Sequence, residues 1–107
     1  RGLGTKFLRH IERTKVIVHC ISAESEDPAL DYKVIRNELK TYAKNLEEKE
    51  EYLLITKIDN IDAKKLKKIE TIAKKLSKNY SMVSIFDDKL LKEFQDKLLK
   101  FVTKVTK

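Results

Sequence analysis

A short polar segment follows an apolar run in the middle of the chain. Residues 51 to 59 read EYLLITKID, so a predicted strand ends in Thr56, Lys57 and Asp59. In an open parallel α/β sheet, ligands bind in the crevice outside the carboxyl ends of the strands. The segment therefore predicts a hydroxyl, an ammonium and a carboxylate group at a ligand-binding edge. The alternative is a buried strand that ends in a polar turn, because four-residue patterns recur by chance.

The histidines and the cysteine show no recognised metal-binding spacing. They are His10, His19 and Cys20. His19 and Cys20 are neighbours in a predicted strand, where successive side chains point to opposite faces. We therefore expect structural roles for both and no pair of nucleophile and base. A single cysteine excludes an internal disulfide and is typical of a reducing cytoplasm.

The composition is that of a globular protein. The chain has 107 residues, of which 41% are hydrophobic and 38% are charged, which suits one domain or part of one rather than a disordered or membrane protein. No apolar run approaches the roughly 18 residues that span a bilayer. The sequence does not begin with Met, and residues 1 to 15 do not show the pattern expected of a signal peptide. We therefore expect it to begin partway into a larger protein or after a trimmed tag.

The formal net charge of +7 raises the possibility of nucleic-acid binding. The lysines do not form one tract, however. They are dispersed among Glu and Asp and are densest over residues 64 to 78, so a solvated helix face explains most of them. A basic RNA-binding module remains a secondary alternative.

Helical and strand patterns alternate along the whole chain. The first half of the chain is expected to form a helix at 5 to 13, a strand at 16 to 21 buried on both faces, and an acidic solvated loop at 22 to 27. Asp27 is expected to cap a helix that runs from Pro28 to about 44 with Ile35 and Leu39 buried. The second half is expected to form a strand at 52 to 56, a helix capped by Asp62, a strand at 81 to 86 and a last helix. This order predicts an α/β fold with a three-stranded parallel sheet and helices on both faces. One sheet edge lacks a neighbour, which predicts part of a larger doubly wound domain and a surface for self-association.

Three segments of the chain carry a family resemblance. They are GLGTKFLRHIERT at residues 2 to 14, DPALDYKVIRNEL at 27 to 39, and TKID at 56 to 59. Together they resemble the Obg family of GTPases, which has Asn-Lys-x-Asp where this chain has TKID. The first resembles the stretch after the switch II glycine, and its length makes the match far more specific than a four-residue motif. The resemblance implies that residues 1 to 107 are a single partial G domain that lacks the P-loop half.

The resemblance also implies a guanine-binding site. Asp59 would accept hydrogen bonds from the guanine N1-H and exocyclic amine, and Lys57 would lay its stem along the base. Ser84, Ile85 and Phe86 resemble the Ser-Ala-x loop, in which a backbone N-H meets the guanine O6. Thr56 stands where the family has Asn, and its shorter hydroxyl cannot make the same paired contacts. Ile85 replaces the usual Ala and adds bulk beside the base.

The resemblance further implies a switch and a set of partners. The residues on the helix similar to switch II are Gly4, Phe7, Arg9, His10 and Arg13, for which ordinary surface charge is the alternative. The implied ligand is GTP or GDP with magnesium, and the implied partner is the large ribosomal subunit during assembly.

The chain lacks the motifs that bind phosphate and magnesium. It has no G-x-x-x-x-G-K-[ST] and no D-x-x-G, and RGLGTK has its Lys and Thr in the wrong order with no strand before it. Without a phosphate cradle and magnesium ligands, phosphoryl transfer has neither positioning nor charge stabilisation. We therefore expect no GTP hydrolysis by this chain alone. The alternative function is an inert fragment that acts as a self-association module or as a protein- or RNA-binding module.

Overall fold

The computed structural model describes residues 15–42 and 49–105. Within them, strands and helices alternate in the order β1 (Val16–Ser22), α1 (Pro28–Tyr42), β2 (Glu50–Thr56), α2 (Ala63–Leu76), β3 (Tyr80–Met82) and α3 (Asp88–Val105), with a 3-10 turn at Ile58–Asn60. The predicted helix at residues 5 to 13 lies outside the described residues. None of the described helices is both long enough and apolar enough to cross a membrane.

The three strands form a parallel sheet in the order β1-β2-β3. The register pairs Val16 with Glu50 at one end of β1 and Ser22 with Thr56 at the other, while Leu53 pairs with Tyr80 of β3. Parallel neighbours need a crossover connection, which α1 and α2 supply. The predicted three-stranded parallel sheet is confirmed.

One face of the sheet packs against α2. Ile21, Leu53 and Ile55 point to this face and join Ile69 and Ala73 of α2 in a buried apolar cluster. Leu53, Ile55 and Ile69 are the largest of the fully buried side chains. Burial of such aliphatic side chains contributes about 1.5–3 kcal/mol each. This cluster therefore holds the strands in register beneath their carboxyl ends.

The other face of the sheet packs against α3. Tyr52 alternates with Leu53 and so points to this face. Its ring lies 5.8 Å from that of Phe94 and 5.4 Å from that of Phe101, measured between centroids. Helices therefore cover both faces of the sheet, as the sequence predicted.

Aspartate side chains begin the first two helices. Asp27 Oδ1 accepts a hydrogen bond from the Leu30 N–H at 3.1 Å, just before Pro28. Asp62 Oδ1 accepts from the Lys65 N–H at 2.8 Å. Each carboxylate satisfies an N–H that has no partner within its helix. Both predicted caps are confirmed.

The prediction that β1 is buried on both faces is wrong. Its side chains alternate: Ile17, His19 and Ile21 are buried, whereas Val18 is 38% exposed and Cys20 is exposed. Among the described residues, α3 packs over β2 and β3 and leaves the β1 part of this face open. The alternation confirms that His19 and Cys20 point to opposite faces.

Two smaller predictions are also wrong. Ile35 is 37% exposed, because Tyr32, Arg36 and Leu39 occupy the sheet-facing side of α1. The third strand spans Tyr80–Met82 rather than residues 81 to 86. It ends early because the chain turns at Ser84, whose carbonyl oxygen accepts a hydrogen bond from the Asp87 N–H at 3.1 Å.

Candidate functional site

The loops that follow the three strands are joined at one edge of the sheet. The Ala23 N–H, after β1, donates to the Thr56 carbonyl oxygen at 2.8 Å. The Ile58 N–H, after β2, donates to the Val83 carbonyl oxygen at 3.3 Å. Backbone hydrogen bonds therefore connect all three loops at the carboxyl ends of the strands, where parallel α/β sheets bind ligands.

The loop after β2 turns sharply at Lys57. Its φ of 61° and ψ of 34° lie in the left-handed region, which costs a residue with a Cβ roughly 1–2 kcal/mol. The turn leads directly into Ile58–Asn60, and the Asn60 N–H donates to the Lys57 carbonyl oxygen at 3.1 Å. Strained backbone of this kind is concentrated at functional sites, where the surrounding structure holds it in place.

Glu24 bridges the loops after β1 and β2. Its Oε1 lies 3.6 Å from Lys57 Nζ, and its Oε2 accepts a hydrogen bond from Asn60 Nδ2 at 3.1 Å. Sequence reasoning placed Glu24 in a solvated acidic loop and did not single out Asn60. The position of this loop at the carboxyl end of β1 was the available signal, since it faces the end of β2 in a parallel sheet.

The side chains of Asp59 and Thr56 make no polar contact with the part of the chain that the structure describes. Asp59 is exposed, and its carboxylate forms no hydrogen bond or ion pair within residues 15–42 and 49–105. Thr56 is half-buried at the end of β2, and its hydroxyl likewise forms no hydrogen bond with these residues. An ionised carboxylate accepts hydrogen bonds only, so Asp59 can bind a group that presents donors.

The loop after β3 presents a backbone donor. Ser84 is buried, and its hydroxyl accepts a hydrogen bond from the Phe86 N–H at 3.1 Å. The Ile85 N–H has no acceptor within the part of the chain that the structure describes. The side chains of Ile85 and Phe86 are 76% and 80% exposed. The Ser84 turn thus fixes a loop whose free N–H and apolar side chains are open to a ligand.

The remaining predicted site residues lie outside the described residues. They are Gly4, Phe7, Arg9, His10 and Arg13. Among the residues described, no group of three or more His, Cys, Asp or Glu side chains could hold a metal ion. A magnesium site built from such side chains is therefore absent from residues 15–42 and 49–105.

A second polar cluster lies at the opposite end of the sheet and was not predicted. The Glu51 carboxylate accepts hydrogen bonds from the Tyr32 hydroxyl and from Arg36 Nη1, the latter at 3.5 Å, and lies 3.2 Å from His19 Nδ1. The His19 and Tyr32 rings are stacked with centroids 4.8 Å apart. Glu51 pairs with Ile17 near the start of both strands, so this cluster joins α1 to the sheet away from the loops.

Burial and charge shift the pKa values of this cluster. Burial opposes the ionisation of Glu51, but the hydrogen bonds from His19 and Tyr32 and the charge of Arg36 outweigh it, so its pKa is lowered. Burial, followed by the hydrogen bond to Glu51 and the Glu51 charge, raises the pKa of Tyr32 to about 12. The cluster is therefore a neutral phenol bound to an ionised carboxylate, which stabilises the fold rather than forming a reactive site.

Three curated proteins similar to this chain are each named GTPase Obg. The chain is 45% identical over 82 residues to a GTPase Obg of Prochlorococcus marinus strain AS9601, covering 77% of this chain and 25% of that protein. It is 49% identical over 61 residues to a GTPase Obg of Microcystis aeruginosa, covering 57% of this chain and 18% of that protein. A GTPase Obg of Synechocystis sp. is 40% identical over 76 residues, covering 71% and 21%.

These matches cover a small part of each relative. The chain spans between 18% and 25% of the length of these three proteins. No protein-family model matches the chain, and no solved structure matches it significantly. The family evidence is therefore the sequence identity itself, which extends over 57% to 77% of this chain in the three relatives.

Proposed function

This chain belongs to the Obg family of GTPases, and on that premise we propose that it supplies the base-recognition half of a domain that binds GTP and GDP. The observation that carries the proposal is the free carboxylate of Asp59 on a loop joined by the Ile58 and Val83 hydrogen bond to the loop that holds Ser84. The curated relatives are named as GTPases, which supports a guanine nucleotide as the ligand.

In this proposal, the Asp59 carboxylate recognises the guanine base through hydrogen bonds. Guanine presents two adjacent donors, the N1-H and the exocyclic amine, and a carboxylate accepts both in a charge-assisted bidentate pair. Adenine has no N1-H and carries its amine at a different ring position, so it cannot form this pair. The selectivity for guanine over adenine therefore comes from an acceptor-only group that would be left unpaired by the wrong base.

Lys57 and Ile85 complete the recognition of the base. The guanine O6 needs a donor, and the Ile85 N–H is a donor without a protein acceptor among the described residues. Lys57 lays its aliphatic stem along the base plane while its ammonium group stays near Glu24. Ser84 positions the Ile85 N–H by fixing the turn of its loop through Phe86.

We expect guanine to bind although Thr56 and Ile85 stand where the family has Asn and Ala. The Thr56 hydroxyl, which forms no hydrogen bond within the described residues, is available to a polar group of the base or of a neighbouring loop, although it reaches less far than a carboxamide. The Ile85 side chain points into solvent, as its exposure of 76% requires. Its bulk therefore adds apolar surface at the rim of the site.

We further propose that the nucleotide is bound with magnesium, whose ligands come from outside the described residues. The proposed partner is the large ribosomal subunit during assembly in the cytoplasm. The segment with Gly4, Phe7, Arg9, His10 and Arg13 reports the nucleotide state to that partner. GTP hydrolysis requires a phosphate cradle that this sequence does not contain.

Isothermal titration calorimetry with GDP, and with ADP as the competing base, tests the proposal. We expect GDP to bind, ADP to give no heat, and Asp59→Ala to abolish GDP binding. Asp96→Ala is the matched control, because Asp96 is an exposed aspartate on α3, away from the loops. Equal heats with GDP and ADP, or none with either, would rule out a guanine site in this chain.

A second candidate function, self-association through β1, rests on a specific observation. β1 is an edge strand of the described sheet, and Val18 and Cys20 are exposed on its open face. Edge strands with exposed apolar side chains pair readily with other chains. Sedimentation velocity would show a concentration-dependent dimer that Val18→Lys dissociates, and a monomer at all concentrations would exclude this function.

A further inference from the structure

A groove runs between α3 and the outer edge of β3, on the side of the sheet away from β1. It has a volume of about 580 Å³, and four lysines line it: Lys78, Lys97, Lys100 and Lys104. Its acidic lining residues are Glu70 and Glu93. Four lysines against two glutamates leave an excess of positive charge, and we call this feature the basic groove.

The four lysines of the basic groove form no ion pair with the described residues. Within residues 15–42 and 49–105, none of them lies within 4.0 Å of a carboxylate oxygen. Glu70 instead accepts a hydrogen bond from the Tyr80 hydroxyl at 3.2 Å. The ammonium groups are thus available to an anionic partner.

The spacing of the lysines on α3 suits a polymer of negative charges. Lys97, Lys100 and Lys104 are three and four residues apart and share one helix face. Along the helix axis, the first and last are separated by about 10 Å. The helix beneath them is held by Phe94 and Phe101, which pack against Tyr52. The row of charges is therefore carried on a fixed support.

We propose that the basic groove binds a single-stranded nucleic acid through its phosphates. Lysines interact with phosphates as point charges and release condensed counterions, which favours binding without regard to base sequence. Three of the groove's four aromatic rings are engaged in the core, since Tyr52 contacts Phe94 and Phe101. The fourth, Tyr80, is half-buried, and its hydroxyl donates to Glu70. Binding therefore depends mainly on the phosphate backbone and does not distinguish RNA from DNA.

An extended peptide is the competing occupant of the same groove. It would add a strand to the outer edge of β3 through backbone hydrogen bonds. β3 has only the three residues Tyr80–Met82, so it offers few backbone N–H and C=O groups to a peptide. Lysines beside a short edge strand also oppose strand pairing. The charge and the short edge together favour a phosphate polymer.

Fluorescence anisotropy with a labelled oligouridylate of about twelve nucleotides tests the proposal. The test variant is Lys100→Gln with Lys104→Gln, and the control is Lys33→Gln with Lys75→Gln, which removes the same charge from α1 and α2. Two lost phosphate contacts lower the slope of log K against log salt by about 1.4. At low salt we expect at least tenfold weaker binding by the test variant and less than twofold by the control.

Several results would overturn the proposal. The first is an unmodified chain that does not bind oligouridylate, and the second is an equal loss of affinity for oligouridylate in the test and control variants. The others are binding of polyglutamate as tight as that of oligouridylate, and a strong preference for either oligouridylate or oligothymidylate over the other. Circular dichroism checks the fold of each variant, and Lys97→Gln with Lys104→Gln replaces the test variant if it unfolds. GDP binding should be unchanged in all these variants, so that this result is independent of the guanine site.

Discussion

The ammonium group of Lys57 lies 3.6 Å from the Glu24 carboxylate, across the gap between the loops after β2 and β1. The two side chains are 60% and 48% exposed, so the ion pair contributes little to the free energy of unfolding. The contacts of Glu24 instead fix the positions of the Lys57 and Asn60 side chains. Glu24 orders the residues on either side of Asp59 before a ligand binds.

Replacing Glu24 by Gln should therefore affect binding more than stability. We expect the free energy of unfolding to change by less than about 0.5 kcal/mol. The Kd for GDP should rise about two- to fivefold, because ordering the Lys57 side chain then costs free energy on binding. Thermal unfolding and calorimetry measure the two quantities. Glu26→Gln in the same loop is the control, and an equal effect in both variants would refute the role of Glu24.

The left-handed conformation of Lys57 should tolerate Gly and resist a β-branched residue. Gly adopts a φ of 61° without a steric penalty, whereas Val clashes with its own backbone there. We expect Lys57→Val to be less stable than Lys57→Gly by about 1–2 kcal/mol in urea unfolding. Both variants also lose the aliphatic stem that we propose to lie along the base. Equal stability of the two variants would show that the left-handed turn is not formed in solution.

The Glu51 cluster should make the stability of the fold depend on acidic pH. The folded-state pKa of Glu51 lies below its ordinary value of 4.5, so its contribution is present above that value and is lost as the pH falls through the folded-state pKa. Glu51→Gln should lower the free energy of unfolding at neutral pH by about 1–3 kcal/mol and flatten its decline in acid.

Glu50→Gln is the matched control for this prediction, since Glu50 is the exposed neighbour of Glu51 on β2. Urea unfolding at a series of pH values measures both variants. A pH profile of Glu51→Gln that is parallel to that of the unmodified chain would contradict the assignment.

The Tyr52 hydroxyl and Ser81 Oγ are 2.5 Å apart, and both residues are buried. Tyr52→Phe leaves the Ser81 hydroxyl without this partner and should cost about 1–3 kcal/mol. Adding Ser81→Ala should cost little more, because both polar groups are then gone. A double-mutant cycle in urea measures the coupling, and strictly additive effects would show that the hydrogen bond contributes nothing.

The fold was largely predictable from the sequence because its local signals agree with one another. Apolar runs of strand length alternate with helical periodicity, and Asp27 and Asp62 mark helix starts that the structure confirms. The prediction failed where tertiary contacts decide. Ile35 has the right spacing for the core, but Arg36 faces the sheet instead to reach Glu51.

The candidate site was only partly predictable. The residue types at 56 to 59 predict that this edge of the sheet binds a ligand. No pattern in the sequence, however, indicates that Lys57 has a positive φ or that Glu24 contacts Lys57 and Asn60. Those features depend on loops that are far apart in the chain and meet only once the sheet has formed. The end of β3 at Met82 has a similar origin, since the Ser84 turn interrupts an otherwise continuous apolar run.

The most direct test of base recognition by Asp59 is a change of base preference. Asn at this position keeps one acceptor and gains a donor, which matches xanthine, because xanthine carries a carbonyl oxygen where guanine has its amine. We predict that Asp59→Asn binds xanthosine diphosphate at least tenfold more tightly than GDP in calorimetry, whereas the unmodified chain has the reverse preference. An Asp59→Asn variant that is folded and still prefers GDP, or binds neither nucleotide, would contradict the account.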